Sequence, residues 1–175
     1  MTDIQEILID DTAIAEKVRE IAARISADYA GKELVLICVL KGAAVFTADL
    51  MRHLSIPVTV EFVQAASYGA SMTSSKKISI EKDGGIDISG KHALLVDTII
   101  DTGETMAVLF STFAGRGPAS LKAVTLLDKR SRRTANVSIG YSGFEIPDKF
   151  VVGYGMDYEE KHRNLPCIAV IKTTR

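Results

Sequence analysis

The chain has 175 residues, 47% of them hydrophobic and 25% charged, with a formal net charge of -1. That is enough apolar material for the core of one domain spanning 1–175, and the charge balance excludes a whole-chain basic footprint for nucleic acid. With no secretory apolar segment at the N-terminus and no run long enough to span a bilayer, a cytoplasmic protein with no membrane partner is expected.

Taken in order, the elements alternate. Ile14, Val18, Ile21, Ala22 and Ile25 recur on one helical face, and Gly31 offers a C-terminal stop. Residues 34–40 form an unbroken apolar run, the pattern of a central parallel strand buried on both sides. A helix over 45–54 and a strand over 58–65 follow. Residues 67–77 are small and polar with no packing pattern, which reads as a mobile loop. Residues 78–81 and 86–88, with Asp83-Gly84-Gly85 between them, read as a short hairpin. Leu94-Leu95-Val96 is a buried strand ending in an acid, Asp97, and residues 106–113 are a helix. Strands are expected over 121–127, 137–141, 150–154 and 167–171. This βαβ order, without repeats or linkers, predicts a doubly wound α/β fold with a mainly parallel sheet flanked by helices. Ligands of such sheets bind beyond the carboxyl ends of the strands, near the point where strand order reverses. Cys38 and Cys167 each sit in an apolar run with no metal-type spacing, so both read as buried, reduced thiols. His53, His92 and His162 have no catalytic spacing and read as surface or boundary residues.

Residues 94–105, LLVDTIIDTGET, carry the most chemistry. A strand leads through two acids, Asp97 and Asp101, into Thr102-Gly103-Glu104-Thr105 and a helix. The free N–H groups of such a turn, with the helix dipole, form a phosphate cradle. Thr102 and Thr105 can add hydroxyl donors, and Gly103 permits a positive φ or a close backbone approach. Two acids are out of place in a pure phosphate site. They suit a ligand that also carries sugar hydroxyls or a proton that must move.

This stretch resembles the 5-phosphoribosyl 1-pyrophosphate motif of type I phosphoribosyltransferases. Three further stretches resemble the hypoxanthine-guanine branch of that family: Val39-Leu40-Lys41-Gly42, Leu126 through Arg130, and residues 143–157, GFEIPDKFVVGYGMD, with Tyr158-Glu159 and Arg163 following. The match runs from about Ile7 to the C-terminus with its motifs in family order. It implies a small hood over the carboxyl ends of the strands. It also implies transfer of a phosphoribosyl group to a 6-oxopurine with Mg²⁺ as cofactor, in a homodimer or homotetramer whose partners are small molecules.

The same resemblance assigns residues. Asp97, Thr98, Asp101, Thr102, Gly103, Glu104 and Thr105 would hold the phosphoribosyl group, with Asp101 near purine N7 as general base or acid. Lys41, Gly42, Ser67, Tyr68 and Arg163 would meet pyrophosphate, and in that family the peptide matching Leu40–Lys41 can be cis. Ser67-Tyr68 would open a lid that keeps water from the ribosyl centre. Lys129, a donor-only ammonium, would meet purine O6 and repel a 6-amino group. Phe150 would stack on the base, and the carbonyls near Val151 and Asp157 would face its C2 edge. Asp157 and Asp97 would hold the metal.

The chain also departs from the family, which mostly has two adjacent acids where Asp97-Thr98 stands. Thr98 therefore removes one negative charge, and Asp97 alone would anchor the ribose hydroxyls. Such an enzyme would need more Mg²⁺, or have a higher KM for the phosphoribosyl substrate, than its own Thr98→Asp variant. The competing reading is a phosphoribosyltransferase-fold regulator that binds RNA or DNA. It would use the basic cluster Arg130-Ser131-Arg132-Arg133, which otherwise reads as a solvated loop.

Overall fold

The computed structural model describes residues 4–68, 77–82, 85 and 87–172. Two sheets organise the chain. The larger contains β2 (Leu34–Leu40), β3 (Val58–Tyr68), β4 (Lys77–Lys82), β5 (His92–Ile100), β6 (Ser120–Asp128) and β7 (Ile139–Glu145). They lie in the order β4-β3-β2-β5-β6-β7. All neighbours are parallel except the β3–β4 pair. The smaller sheet is antiparallel, β1 (Ile4–Ile9), β9 (Ile168–Ile171) and β8 (Val151–Val152), and forms the expected second, hood-like unit.

Helices cover both faces of the large sheet, as parallel pairing requires. α1 (Asp11–Asp28) starts at Asp10, whose carboxylate accepts from the Ala13 amide at 2.8 Å and satisfies a first-turn N–H. It buries the five apolar residues picked out by their spacing, and with α2 (Ala44–His53) it packs against Leu34, Leu36, Leu94 and Val96. α3 (Glu104–Ala114) covers the opposite face, placing Met106, Leu109 and Phe113 on Val35, Ile37 and Leu95. The strand alternation in β2 and β5 thus feeds two cores on opposite sides of one sheet.

Several expectations change, and the strand expected over 137–141 is displaced to Ile139–Glu145. The segment over 78–88 is not a hairpin with itself: β4 pairs with β3, and residues 87 and 88 lie outside any strand. Ser67 and Tyr68 complete β3 instead of opening a loop, while residues 69–76 of the expected loop lie outside the described residues. The strand expected over 150–154 shrinks to Val151–Val152, because positive φ angles at Gly153, Tyr154 and Gly155 end it. Finally, β5 does not stop at Asp97 but runs on to Ile100. Strand β1 gave no sequence signal of its own, and it exists by pairing with β9 at the far end of the chain. Of the two thiols, Cys38 is buried and Cys167 only partly so.

Strand order reverses between β2 and β5: the chain leaves β2 for β3 on one side, then returns to add β5, β6 and β7 on the other. The crevice between the carboxyl ends of β2 and β5 is where such sheets bind ligands. It is bounded by residues 41–43 after β2 and residues 101–103 after β5.

Candidate active site

Two adjoining cavities fill that crevice. One, of about 140 Å³, is lined by Asp97, Ile99, Asp101, Thr102, Gly103 and Thr105. The other, of about 360 Å³, is walled by Lys41 and Gly42 on one side, Lys129, Phe150 and Val151 on another, and Asp157 and Arg163 at the hood. Ile99 and Asp101 line both. Larger cavities elsewhere, including one of about 510 Å³ between α1, α2 and the hood, lack this convergence of strand-end loops.

The small cavity is the start of α3. Gly103 stands at φ +85° as its N-cap, and a Cβ there would lie 2.9 Å from Arg133 Cδ, so both conformation and space call for glycine. The amides of the first helical turn have no intrahelical acceptor and face outward from the turn. Arg133 braces this turn from behind. Its guanidinium donates to the Asp101 carbonyl at 3.1 Å and the Ile100 carbonyl at 3.3 Å, and pairs with the buried Asp128 carboxylate. The amides of Thr134 and Ala135 both donate to the Thr102 carbonyl at 3.0 Å. Residues 130–132 are a 3₁₀ turn, and the arginines that read as a solvated loop are joined to carboxylates: Arg130 to Asp128, Arg132 to Asp101 and Asp148. Arg130 and Arg132 stay exposed in these pairs, in keeping with the solvated reading of the cluster.

Asp101 has a cation on each side. Arg132 Nε donates to Oδ1 at 2.8 Å, and Lys129 Nζ lies 3.7 Å from Oδ2. Lys129 also lies 3.8 Å from Asp148, with a side chain 8% exposed. Both Lys129 pairs exceed hydrogen-bond length, so charge holds this ammonium in place without fixing its donors. Asp97 sits at the foot of the small cavity. Burial pushes its carboxyl up to about 7, although the Ile99 and Thr98 amides pull the other way by donating to it.

At the hood, Arg163 donates to the Gly155 carbonyl at 2.8 Å and pairs with Asp157 at 2.7 Å, while its buried Nε has no partner among the described residues. Lys41 pairs with Glu160 at 3.1 Å. The Leu40–Lys41 peptide is cis, as expected. Phe150 is half-exposed and packs edge-on to Tyr158, with ring centroids 5.5 Å apart.

Most of the residues singled out from sequence therefore line one of the two cavities. Glu104 does not, and neither does Thr98. It is fully buried, turned away from both cavities, and its hydroxyl donates to the Gly42 carbonyl at 3.0 Å. Asp97 and Asp157 line different cavities, and among the described residues no group of three acids, histidines or cysteines is placed to hold a metal unaided. Nothing is described of the Ser67 and Tyr68 side chains beyond their place at the end of β3. Sequence reading missed Ile99, Asp148, Arg132 and Arg133. Ile99 was reachable: had β5 been extended, strand alternation sets Asp97 and Ile99 apart from Thr98. The arginine contacts had no local signal.

The phosphoribosyl transferase domain model matches residues 5–159. A hypoxanthine-guanine phosphoribosyltransferase of Bacillus subtilis is 43% identical over 170 residues, 97% of this chain and 94% of that one. A hypoxanthine phosphoribosyltransferase of Haemophilus influenzae is 43% identical over 169 residues, 95% of this chain and 94% of its own. Among solved structures, a hypoxanthine-guanine phosphoribosyltransferase from Bacillus anthracis superposes with a TM-score of 0.92 at 45% identity, covering 97% of this chain and 99% of that one.

Proposed function

This chain belongs to the phosphoribosyltransferase family, in its hypoxanthine-guanine branch, and from that premise we propose how its crevice works. It transfers the phosphoribosyl group of 5-phosphoribosyl 1-pyrophosphate to a 6-oxopurine, releasing pyrophosphate, a reaction of purine salvage. The observation that carries this reading is the shared wall. Asp101 and Ile99 border both the phosphate turn and the pocket of Lys129 and Phe150, so a base and a ribose phosphate in the two cavities meet beside one carboxylate.

The α3 turn receives the 5′-phosphate through the amides and hydroxyls of residues 102–105. Phe150 and Ile99 give apolar surface to the purine, and Lys129 donates to its O6. Asp101 takes the proton from N7 as N9 bonds to C1′ and the C1′–pyrophosphate bond breaks; Arg132 and Lys129 stabilise the charge it carries between turnovers. The amides of the Lys41-Gly42 loop and Arg163 receive the leaving pyrophosphate, and the Ser67-Tyr68 end of β3 borders it. Most of the acceleration comes from holding the two substrates in line.

The donor set suits Mg²⁺ bound together with substrate. Such ions keep one or two carboxylates and take their remaining oxygens from phosphate and water, so separate acids, Asp97 and Asp157, are enough. When bound, the ion neutralises charge on the leaving group. We place the protein in the cytoplasm, as one domain. We also propose a homodimer or homotetramer, in which Val45 and Met51 on α2 and Phe62 on β3, all exposed in the single chain, are covered. Assays of hypoxanthine, guanine, xanthine and adenine with the phosphoribosyl substrate and Mg²⁺ test the central reading. Nucleotide should form with hypoxanthine or guanine, and adenine should be inert. Turnover of adenine, or of neither oxopurine, overturns it.

A further inference from the structure

Thr98, which the family resemblance assigns to the ligand, is fully buried and lines neither cavity. Its hydroxyl donates to the carbonyl of Gly42, in the loop proposed to meet pyrophosphate. We infer that Thr98 is a positioning residue for that loop: its hydrogen bond to Gly42 sets the direction of the loop amides that receive the leaving group. This rests on the function proposed above and adds a determinant of its pyrophosphate half-site.

The loop geometry leads there. After β2, the Ala43 amide donates to the Val39 carbonyl at 3.2 Å, and the Ala44 amide to the Lys41 carbonyl at 3.2 Å. The Lys41 carbonyl therefore points back toward the start of α2. In a trans peptide the N–H lies opposite the carbonyl, so the Gly42 N–H points the other way, and Gly42 lines the crevice. The Gly42–Ala43 peptide is gripped at both ends, its N–H by Val39 and its carbonyl by Thr98. These contacts are backbone to backbone except the last, which comes from a neighbouring strand. The fit around the Gly42 carbonyl is close: a Cβ on Gly155 would lie 2.3 Å from that oxygen, so the hood passes over the peptide that Thr98 holds from below.

The chemistry of position 98 follows. Gly42 presents an acceptor, so its partner must donate. Threonine can. Valine, of the same shape, cannot. An ionised carboxylate offers acceptors only and would repel the carbonyl, so an acid at position 98 could hold Gly42 only while it keeps its proton.

The test compares Thr98→Val, Thr98→Asp and Thr98→Ser with wild type. The readouts are KM for the phosphoribosyl substrate, KM for pyrophosphate in the reverse reaction, KM for the base, and kcat. Loss of a hydrogen bond to a buried carbonyl should raise both phosphate-side constants roughly 5- to 10-fold in Thr98→Val. The constant for the base should stay within about twofold. Thr98→Asp can replace the hydroxyl only as a neutral acid, so its phosphate-side constants should rise with pH where those of wild type do not, and Thr98→Ser should recover most of the loss. If Thr98→Val does not fold, Thr98→Ala removes the same hydroxyl and is read the same way. Unchanged pyrophosphate constants, equal shifts for base and pyrophosphate, or Thr98→Asp phosphate-side constants that do not rise with pH each overturn the inference while leaving the proposed function intact. A wild type that neither turns over nor binds pyrophosphate overturns both.

Discussion

Replacing Lys129 with alanine probes the base pocket most directly. The ammonium is buried at the end of β6, 3.7 Å from Asp101 and 3.8 Å from Asp148, with Phe150 and Val151 in the same cavity wall. If it donates to the purine O6, the lost interaction is a charge-assisted hydrogen bond in a largely desolvated place. Such bonds contribute about 1.5–3 kcal/mol, which is roughly a 10- to 150-fold fall in kcat/KM. Removing the cation also leaves Arg132 as the one described cation paired with both Asp101 and Asp148, so part of the loss should appear in kcat. Lys129→Gln separates the two effects, because an amide still donates to O6 but no longer balances the carboxylates. The assay follows nucleotide formation with hypoxanthine or guanine varied at saturating phosphoribosyl substrate, and then with the substrates exchanged. KM for the base should rise, KM for the phosphoribosyl substrate should hold, and Lys129→Gln should fall between wild type and Lys129→Ala. An alanine variant within about twofold of wild type for both oxopurines would remove Lys129 from the base site and with it the account of oxopurine selectivity.

Asp101→Asn keeps the shape of the side chain but cannot take the N7 proton. Its kcat should fall roughly 100-fold, the low end for a general base, while the affinity for nucleotide product measured by calorimetry stays close to wild type; weak nucleotide binding with normal turnover would make the carboxylate structural. Gly103→Ala places a Cβ at φ +85° against Arg133. It should lower stability by about 1–2 kcal/mol in chemical denaturation and raise KM for the phosphoribosyl substrate, and an alanine variant matching wild type in both would show the turn to be slack. Asp97 predicts a pH dependence. Its carboxyl is raised from 3.8 to about 7, so between those values the native state keeps a proton that the unfolded chain has released. This group therefore withdraws stability as pH rises through that window, and the loss is complete above about 7. Asp97→Asn should remove that decline in the protein without metal or substrate. Its stability relative to wild type should grow by on the order of 2 kcal/mol from about pH 5 to pH 8, and a pH-independent difference would refute the shift.

Signals legible along the chain were local. The 3.6-residue spacing of Ile14 through Ile25 marked α1, the unbroken run from Leu34 marked β2 as central, and the Asp97 to Thr105 motif marked the turn into α3 that we propose holds phosphate, because periodicity and turn chemistry act over a few residues. The chain's resemblance to a family assigned Lys41, Lys129, Phe150 and Arg163 to one ligand, and these four line one cavity. What tertiary structure decided depended on partners distant in sequence. Ile4–Ile9 became a strand through β9, and Lys77–Lys82 paired with β3 instead of folding back on the following residues. Arg132 paired with Asp101 and Asp148, and Arg133 with Asp128, contacts that no spacing rule foretells. Thr98 shows the limit most plainly: one residue from Asp97, it faces the opposite way because β5 continues past the point where its apolar run stops. Side-chain direction in a strand is set by the register of the neighbouring strands, and β2 and β6 fix that register across the sheet.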